Sequence, residues 1–441
     1  MEEETSDINK NYSELNKAAE IKECFYHKQN ECEGPVKSAH SISRGNRLEL
    51  IKGLVNNNDK VYSLSEAIIE NGIVRRGIKP VGWRKAASTF YGFCDKHDTE
   101  LFEPIENGHD FDNSPEHCFL HSYRSFAYTY HSMKKIYKLT SHAIDQVSKL
   151  KEQMPIDELV RKRDTLVTIM NTIEPQNTPF PKDELIRQLK EKLLPKIENT
   201  FKPFGEAKTQ AAFTQVQANI SKVNSFQDII KLYDNLLGHF ETLNSLAIEG
   251  KWRLAATKKE LEEKGLHSSL KWMEDYKKRL DYMVENKEYD GLKYYCRIKD
   301  QLFPFACAFA FSPDFLYSGI DNFFIAPAPG KILNTSLMVT VLPDESNKTI
   351  ILFSCFKEDR QSEFFLNKLF SLKNEDEFER AVTSIIISRP SNVFLSPGIW
   401  DKLGARQSIL ESEINLERPT DELPEKPFMS ELNLFSKEFS Q

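Results

Sequence analysis

The sequence predicts a multidomain α+β protein, with a zinc-stapled N-terminal domain, a helical middle and a C-terminal α+β domain. Three observations predict it. Cysteine and histidine crowd into two short segments, CFYHKQNECEGPVKSAH (24–40) and GFCDKHDTELFEPIE (92–106). Residues 140–290 are rich in charge, with apolar side chains at long three- and four-residue spacings. From residue 291 the pattern changes to short runs of β-branched and aromatic residues.

The chain has 441 residues, 40% hydrophobic and 28% charged, enough for two or three folded domains. No run of eighteen apolar residues occurs, and the start, MEEETSDINKNYSELNKAAEIKE, has neither the basic end nor the apolar core of a signal peptide. A cytoplasmic protein without membrane contact is expected. Seven cysteines, an odd number in a long chain, argue against a disulfide framework. No phosphate-cradling G-x4-G-K-S/T loop and no G-x-S-x-G elbow is present, which removes two large hydrolase classes. The net charge is −7, yet residues 35–90 hold ten basic side chains against four acidic ones. Such an island is either a solvated face or a surface for a phosphate backbone.

The elements follow in order. Residues 1–20 read as a polar lead-in. Residues 21–139 form the zinc-containing domain, punctuated by Gly, Pro and Asn, with a helix expected at 47–55 and short strands near VYSL and GIVRR. A helix over 115–139 presents Phe119, Tyr123, Phe126, Tyr130 and Met133 on one buried face. The region 140–290 reads as antiparallel helices broken at EPQNTPFP and KPFG. Residues 291–417 read as one sheet covered by helices, with PDESN a hairpin turn between SLMVTVL and KTIILFSCF. Residues 418–441, polar and Pro-containing, read as a loosely attached tail.

Seven of the ten histidines and four of the seven cysteines lie in residues 24–131. Zinc takes four soft or borderline ligands in a tetrahedron, supplied economically as two short pairs. Cys94 and His97, spaced C-x2-H at a helix start, make one pair. The other is Cys24 with Cys32, or Cys24 with His27, which repeats the C-x2-H spacing. Cys24, Cys32, Cys94 and His97 are the favoured set around a structural Zn²⁺, because thiolates dominate such sites and Cys32 precedes a Gly-Pro turn. Cys118, Cys296, Cys307 and Cys355 sit in apolar patterns and read as core.

The pieces AHSISRGNRL and FCDKHD resemble the HNH, or ββα-metal, endonucleases. The wider pattern C…C…AHS…ASTFYGFCDKHD…F-PIE is similar to a group of uncharacterised bacterial proteins associated with mobile elements and defence against phage. The resemblance covers roughly residues 20–135. It implies a ββα-metal, treble-clef-like fold in which His40 is the general base, Asn46 belongs to the catalytic loop and Asp98 binds a catalytic Mg²⁺ or Mn²⁺. Arg44, Arg47, Arg84 and Lys85 would then hold the nucleic-acid backbone, of DNA rather than RNA. The family carries an Asp or His before its base, where this chain has Ala39, leaving Asp98 with Glu100 or Glu103 as oxygen ligands. His40 could instead be a zinc ligand. The implied activity is a metal-dependent endonuclease in anti-phage defence or a regulated toxin, with a partner protein of a defence operon or a second copy of the chain.

Two other readings stand beside it. Arg124 and His131 in RSFAYTYH match the spacing of an all-helical ribonuclease family, a pattern that any long helix also produces. Alternatively, the N-terminal region is a zinc-stapled nucleic-acid-binding or assembly module without catalysis, which accounts for Ala39 as well.

Overall fold

A computed structural model describes residues 16–26, 28–43, 47–70, 73–84, 86–106, 110–153, 160–161, 163–164, 182–192, 194–195, 206–225, 227–238, 266–311, 337–388, 392–415 and 430–440. By contacts the chain divides into two units: 1–18 with 139–263, and 19–138 with 264–441.

The larger unit begins with strands β1 (Val36–His40), β2 (Gly53–Val55), β3 (Asn58–Glu70), β4 (Ile73–Gly82) and β5 (Thr89–Cys94). Helices α1 (Asp95–Phe102) and α2 (Pro115–Gln153) follow, α2 continuing into the other unit. The smaller unit contains α3 (Lys182–Lys192), α4 (Glu206–Ser221) and a helical stretch at 227–238. Leu189, Val216, Ile220, Ile229, Leu232 and Leu236 are buried there, as the apolar periodicity anticipates.

The chain then returns to the larger unit through α5 (Leu266–Asn286), β6 (Leu292–Lys299), β7 (Phe305–Phe311), β8 (Leu337–Asp344) and β9 (Lys348–Phe356). After these come α6 (Arg360–Phe370), α7 (Glu375–Ser388), β10 (Val393–Leu395), α8 (Pro397–Leu403) and α9 (Gln407–Asn415).

Eight strands form one antiparallel sheet in the order β2-β3-β10-β7-β8-β9-β6, with β4 paired to β3. β7, β8 and almost all of β9 are buried, because both faces of the sheet are covered. Alternation along FACAFAF sorts the faces. Phe305, Cys307, Phe309 and Phe311 join the core under α6, α7, α8 and α9. Ala306 and Ala308 face the cluster of Ile42, Leu48, Ile51 and Trp83, and Ala310 faces that of α2 and α5. The β8–β9 turn falls at PDESN as expected, with Asn347 at φ 60°.

Four features differ from the sequence reading. The segments 21–139 and 291–417 do not build separate sheets: β3 pairs with β10, Tyr62 opposite Leu395, and β10 with β7. No local pattern announces a pairing across more than three hundred residues. Helix α2 is buried on two faces rather than one. Its aromatics pack on α5, while Ser122 and Ser125 bond Ser354 (2.7 Å) and Thr340 (2.8 Å) of the sheet. Hydroxyls satisfied this way look solvent-exposed in a sequence. The segment 430–440 is no loose tail, since Leu432, Leu434, Phe435 and Phe439 lie in the core.

Arg47, expected on a phosphate-facing surface, is 2% exposed. Its Nη1 donates to Pro343 O at 3.1 Å and pairs with the Asp344 carboxylate at the end of β8. Burial pushes the Asp344 carboxyl up, but hydrogen bonds from Ser346 and Arg47 outweigh it and leave a net value below the ordinary one. Removing one partner of a buried pair strands the other's charge, so Arg47→Ala should cost about 3–5 kcal/mol in urea unfolding. With a depressed folded value, the Asp344 contribution is present above about pH 4 and lost as pH falls through that lower value. The variant should therefore show a shallower acid limb, read by denaturation midpoints between pH 2 and 6.

Candidate metal centre

The site is assembled from two backbone devices. The first is the β1–β5 ladder, whose register sets Val36 opposite Cys94 and brings the chain after Cys32 beside the end of β5. Gly34, at φ +74°, supplies the left-handed turn between Cys32 and β1. On the other side of β5, Phe25 N–H donates to Gly92 O at 2.5 Å and Cys94 N–H points to Cys24 Sγ at 3.4 Å. A Cβ at position 92 would stand 2.1 Å from the Phe90 ring, so the placement of that ring over the strand needs glycine.

The second device is a helix cap. Cys94 is extended (ψ 164°) and N-caps α1, its Sγ accepting from His97 N–H at 3.5 Å. An N-cap side chain reaches back to the third helical residue, so C-x2-H places thiol and imidazole over the same end.

His97 Nδ1 lies 3.4 Å from Cys24 Sγ, 3.6 Å from Cys32 Sγ and 3.2 Å from Cys94 Sγ. All four ligand atoms fall within 4.8 Å of one another. Zinc–sulfur and zinc–nitrogen bonds of about 2.3 and 2.0–2.1 Å give tetrahedral edges of roughly 3.6 Å between N and S. The cluster is therefore close enough to hold one metal ion, and its donor set suits zinc. Among the described residues it is the metal-type group found. His40 is not part of it, and His27 lies outside the described residues.

Cys24, Cys94 and His97 are buried and Cys32 is partly exposed. Burial pushes the Cys24 thiol up to about 12 and also raises Cys32. Burial acts upward on Cys94 too, but the His97 N–H and the neighbouring thiols outweigh it, and its net shift is downward. With Cys24 and Cys32 held upward by burial, deprotonating them calls for a compensating cation, which is what zinc binding supplies. The Tyr26 ring, 4.5 Å from the imidazole, and the Lys96–Glu33 pair (2.9 Å) flank the group.

His40 and Asp98, two of the residues assigned to catalysis, lie elsewhere. His40 is opposite Thr89, at the far end of the ladder from Cys94, and its Nε2 donates to Arg84 O at 3.2 Å. It stands four steps along the strand from Val36, about 13 Å. Asp98 turns away from the metal cluster toward α2, 3.6 Å from Arg124 Nη2, and Glu106 is 2.7 Å from the same nitrogen. Burial raises the Asp98 carboxyl despite the opposing Arg124 charge. Glu100 and Glu103 are exposed. Arg44, Asn46 and Lys85 lie outside the described residues. Arg84 is exposed, its guanidinium 4.8 Å over the Trp83 ring. Arg124 is buried over Phe102, and His131 Nε2 donates to Ile21 O at 3.0 Å, so each serves a different contact.

The sequence reading missed the approach of Glu106 to Arg124, 2.7 Å apart, because no local spacing signals it.

Purified protein should carry one zinc per chain by elemental analysis, and Cys94→Ser should lose it. Strong chelator should lower the melting temperature of the wild type and leave that of Cys94→Ser unchanged. Because the ligands must be deprotonated, zinc should be released as pH falls, read with a colorimetric zinc indicator. Comparisons of the chain with protein-family models, with curated proteins and with solved structures find no match.

Proposed function

We propose that Cys24, Cys32, Cys94 and His97 hold a structural zinc ion, and that the unit they staple binds nucleic acid, DNA in the first instance, without cleaving it. The observation that carries this reading is closure. Three sulfurs and one nitrogen account for a complete tetrahedron, which leaves no position for water or a phosphate oxygen. A hydrolytic centre would need a second, open ion, and the Arg124 guanidinium stands between Asp98 and Glu106 where that ion would be expected. His40, the base of an HNH-like site, would have to act across the length of the ladder. Binding needs neither rearrangement.

The surface this reading uses is narrower than the basic island of the sequence. Arg47 is buried against Asp344, Lys37 pairs with Asp95 at 2.6 Å, and Lys52 pairs with Glu49 at 3.0 Å. Lys79 on β4 and Arg84 in the following turn are exposed whatever their own local contacts, and Lys60 is half-buried on the adjacent strand. These cations would contact phosphates from the side of the sheet where β4, paired to β3, is the outer strand.

The test is fluorescence anisotropy with a labelled duplex DNA and a single-stranded RNA of equal length. Log affinity should fall linearly with log salt, and Lys79→Glu with Arg84→Glu should reduce the slope by about 1 for each phosphate no longer neutralised. The DNA should remain uncut in Mg²⁺ or Mn²⁺. Absence of salt-dependent binding defeats the proposal. Cleavage that His40→Ala abolishes with zinc retained would replace it by the endonuclease reading.

A further inference from the structure

The four-ligand cluster is not evenly enclosed. Cys24, Cys94 and His97 are 5%, 0% and 3% exposed, whereas Cys32 is partly open to solvent. Its chain neighbours Glu31, Glu33, Gly34 and Pro35 are all exposed. The 3₁₀ turn Gln29–Glu31 before it and the left-handed Gly34 after it carry this stretch around the outside of the group. Solvent therefore reaches the ligands from one side, and the ligand on that side is Cys32.

Two more sulfurs stand beside it. The ligand atoms of Cys24, Cys32 and Cys94 all lie within 4.8 Å of one another. A disulfide brings two sulfurs to about 2.05 Å, so side-chain movement of less than about 3 Å closes a bridge. The species that attacks an oxidant is the thiolate, not the thiol. Zinc binding requires its cysteines as thiolates. A loaded cluster therefore gathers three oxidisable sulfurs in one place, one of them on the open side. The other cysteines differ. Cys118, Cys307 and Cys355 are buried. Cys296 on β6 is partly exposed, but it lies outside the cluster and burial pushes its thiol up to about 11.

We propose that Cys32 is the oxidation site of a peroxide-responsive switch: hydrogen peroxide oxidises it, a neighbouring thiolate closes a disulfide with it, and the cluster loses its zinc. The switch rests on the structural-zinc reading above and adds a regulation to that same site. First the Cys32 thiolate attacks one peroxide oxygen, the O–O bond breaks and hydroxide leaves, giving a sulfenic acid. The Cys24 or Cys94 thiolate then attacks the Cys32 sulfur, the S–O bond breaks and a second hydroxide leaves. Two thiolates have lost two electrons, and the peroxide has gained them. The remaining thiolate and the His97 imidazole are two ligands where zinc takes four, too few to hold it.

The test uses the full, reduced chain, with its zinc content measured beforehand by elemental analysis. Hydrogen peroxide should release zinc to a colorimetric indicator, one disulfide forming for each ion released. Peptide mass mapping without reduction should find Cys32 in that disulfide, joined to Cys24 or Cys94. Dithiothreitol with added zinc should restore the starting state. Cys32→His leaves two cysteines and two histidines, a set that also holds zinc, and should slow the release about tenfold or more. If that variant does not load zinc, the wild-type disulfide map decides. Protein without zinc at the outset defeats the zinc reading and the switch with it. One zinc per chain that peroxide does not release overturns the switch alone. So does a Cys24–Cys94 bridge with Cys32 still open to alkylation, or undiminished release from zinc-loaded Cys32→His.

Discussion

The convergence of three thiols and one imidazole at the end of β5 is the constraint on which the N-terminal part depends. A two-stranded ladder such as β1–β5 is marginal by itself in water. Among the described residues from Cys24 to Cys32, the regular structure is one short 3₁₀ turn, Gln29–Glu31. Two things hold it against β5. One is the four-ligand cluster, which gathers positions about seventy residues apart and closes a long loop when it holds a metal ion. The other is Phe25, which meets Phe93, Tyr123, Phe126 and Tyr130 edge-on at 5.3–6.2 Å. Aromatic packing buries the segment, and the cluster fixes its register.

That segment is joined to the large sheet rather than standing as a module beside it. Tyr123 OH donates to Asp281 at 2.7 Å, and Lys277 reaches the same carboxylate while covering Phe25 at 4.7 Å. The same α2 helix sends Ser122, Ser125 and Thr129 to the sheet, Thr129 Oγ1 accepting from Ala310 N–H at 2.7 Å. Small residues on that face of β7 let the helix backbone approach closely enough for serine and threonine to reach. A change in the metal cluster is therefore felt by α2, and through it by β7, β8 and β9.

What could be read in the sequence follows the range of the interactions. The C-x2-H pair was legible because a helix cap and its third residue are a local geometry. The choice of Cys32 over His27 was only a preference, since the path from Cys24 depends on how β1 lies against β5. The alternation of FACAFAF and the turn at PDESN were visible for the same local reason. Arg47 was misread because its partner, Asp344, is 297 residues away. A buried arginine and a surface arginine are identical in sequence. The tail failed similarly: polar residues 418–429 masked the apolar LNLF that follows, whose Leu434 N–H is met by Thr383 at 3.1 Å.

One short helix connects the two chemical features of the unit. In α1 consecutive residues are about 100° apart, so His97 can face the metal cluster while Asp98 faces α2. The cap at Cys94 sets the azimuth of the whole helix, and with it the approach of Asp98 to Arg124. Arg124 is also fixed from below by the Phe102 ring at 3.8 Å, a residue of the same helix. Releasing the cap would turn α1 and move both of these neighbours at once, freeing the guanidinium of its carboxylate and of its stacking partner. The position of that arginine is thus set jointly by α2 and by the helix that starts at the sulfur cluster.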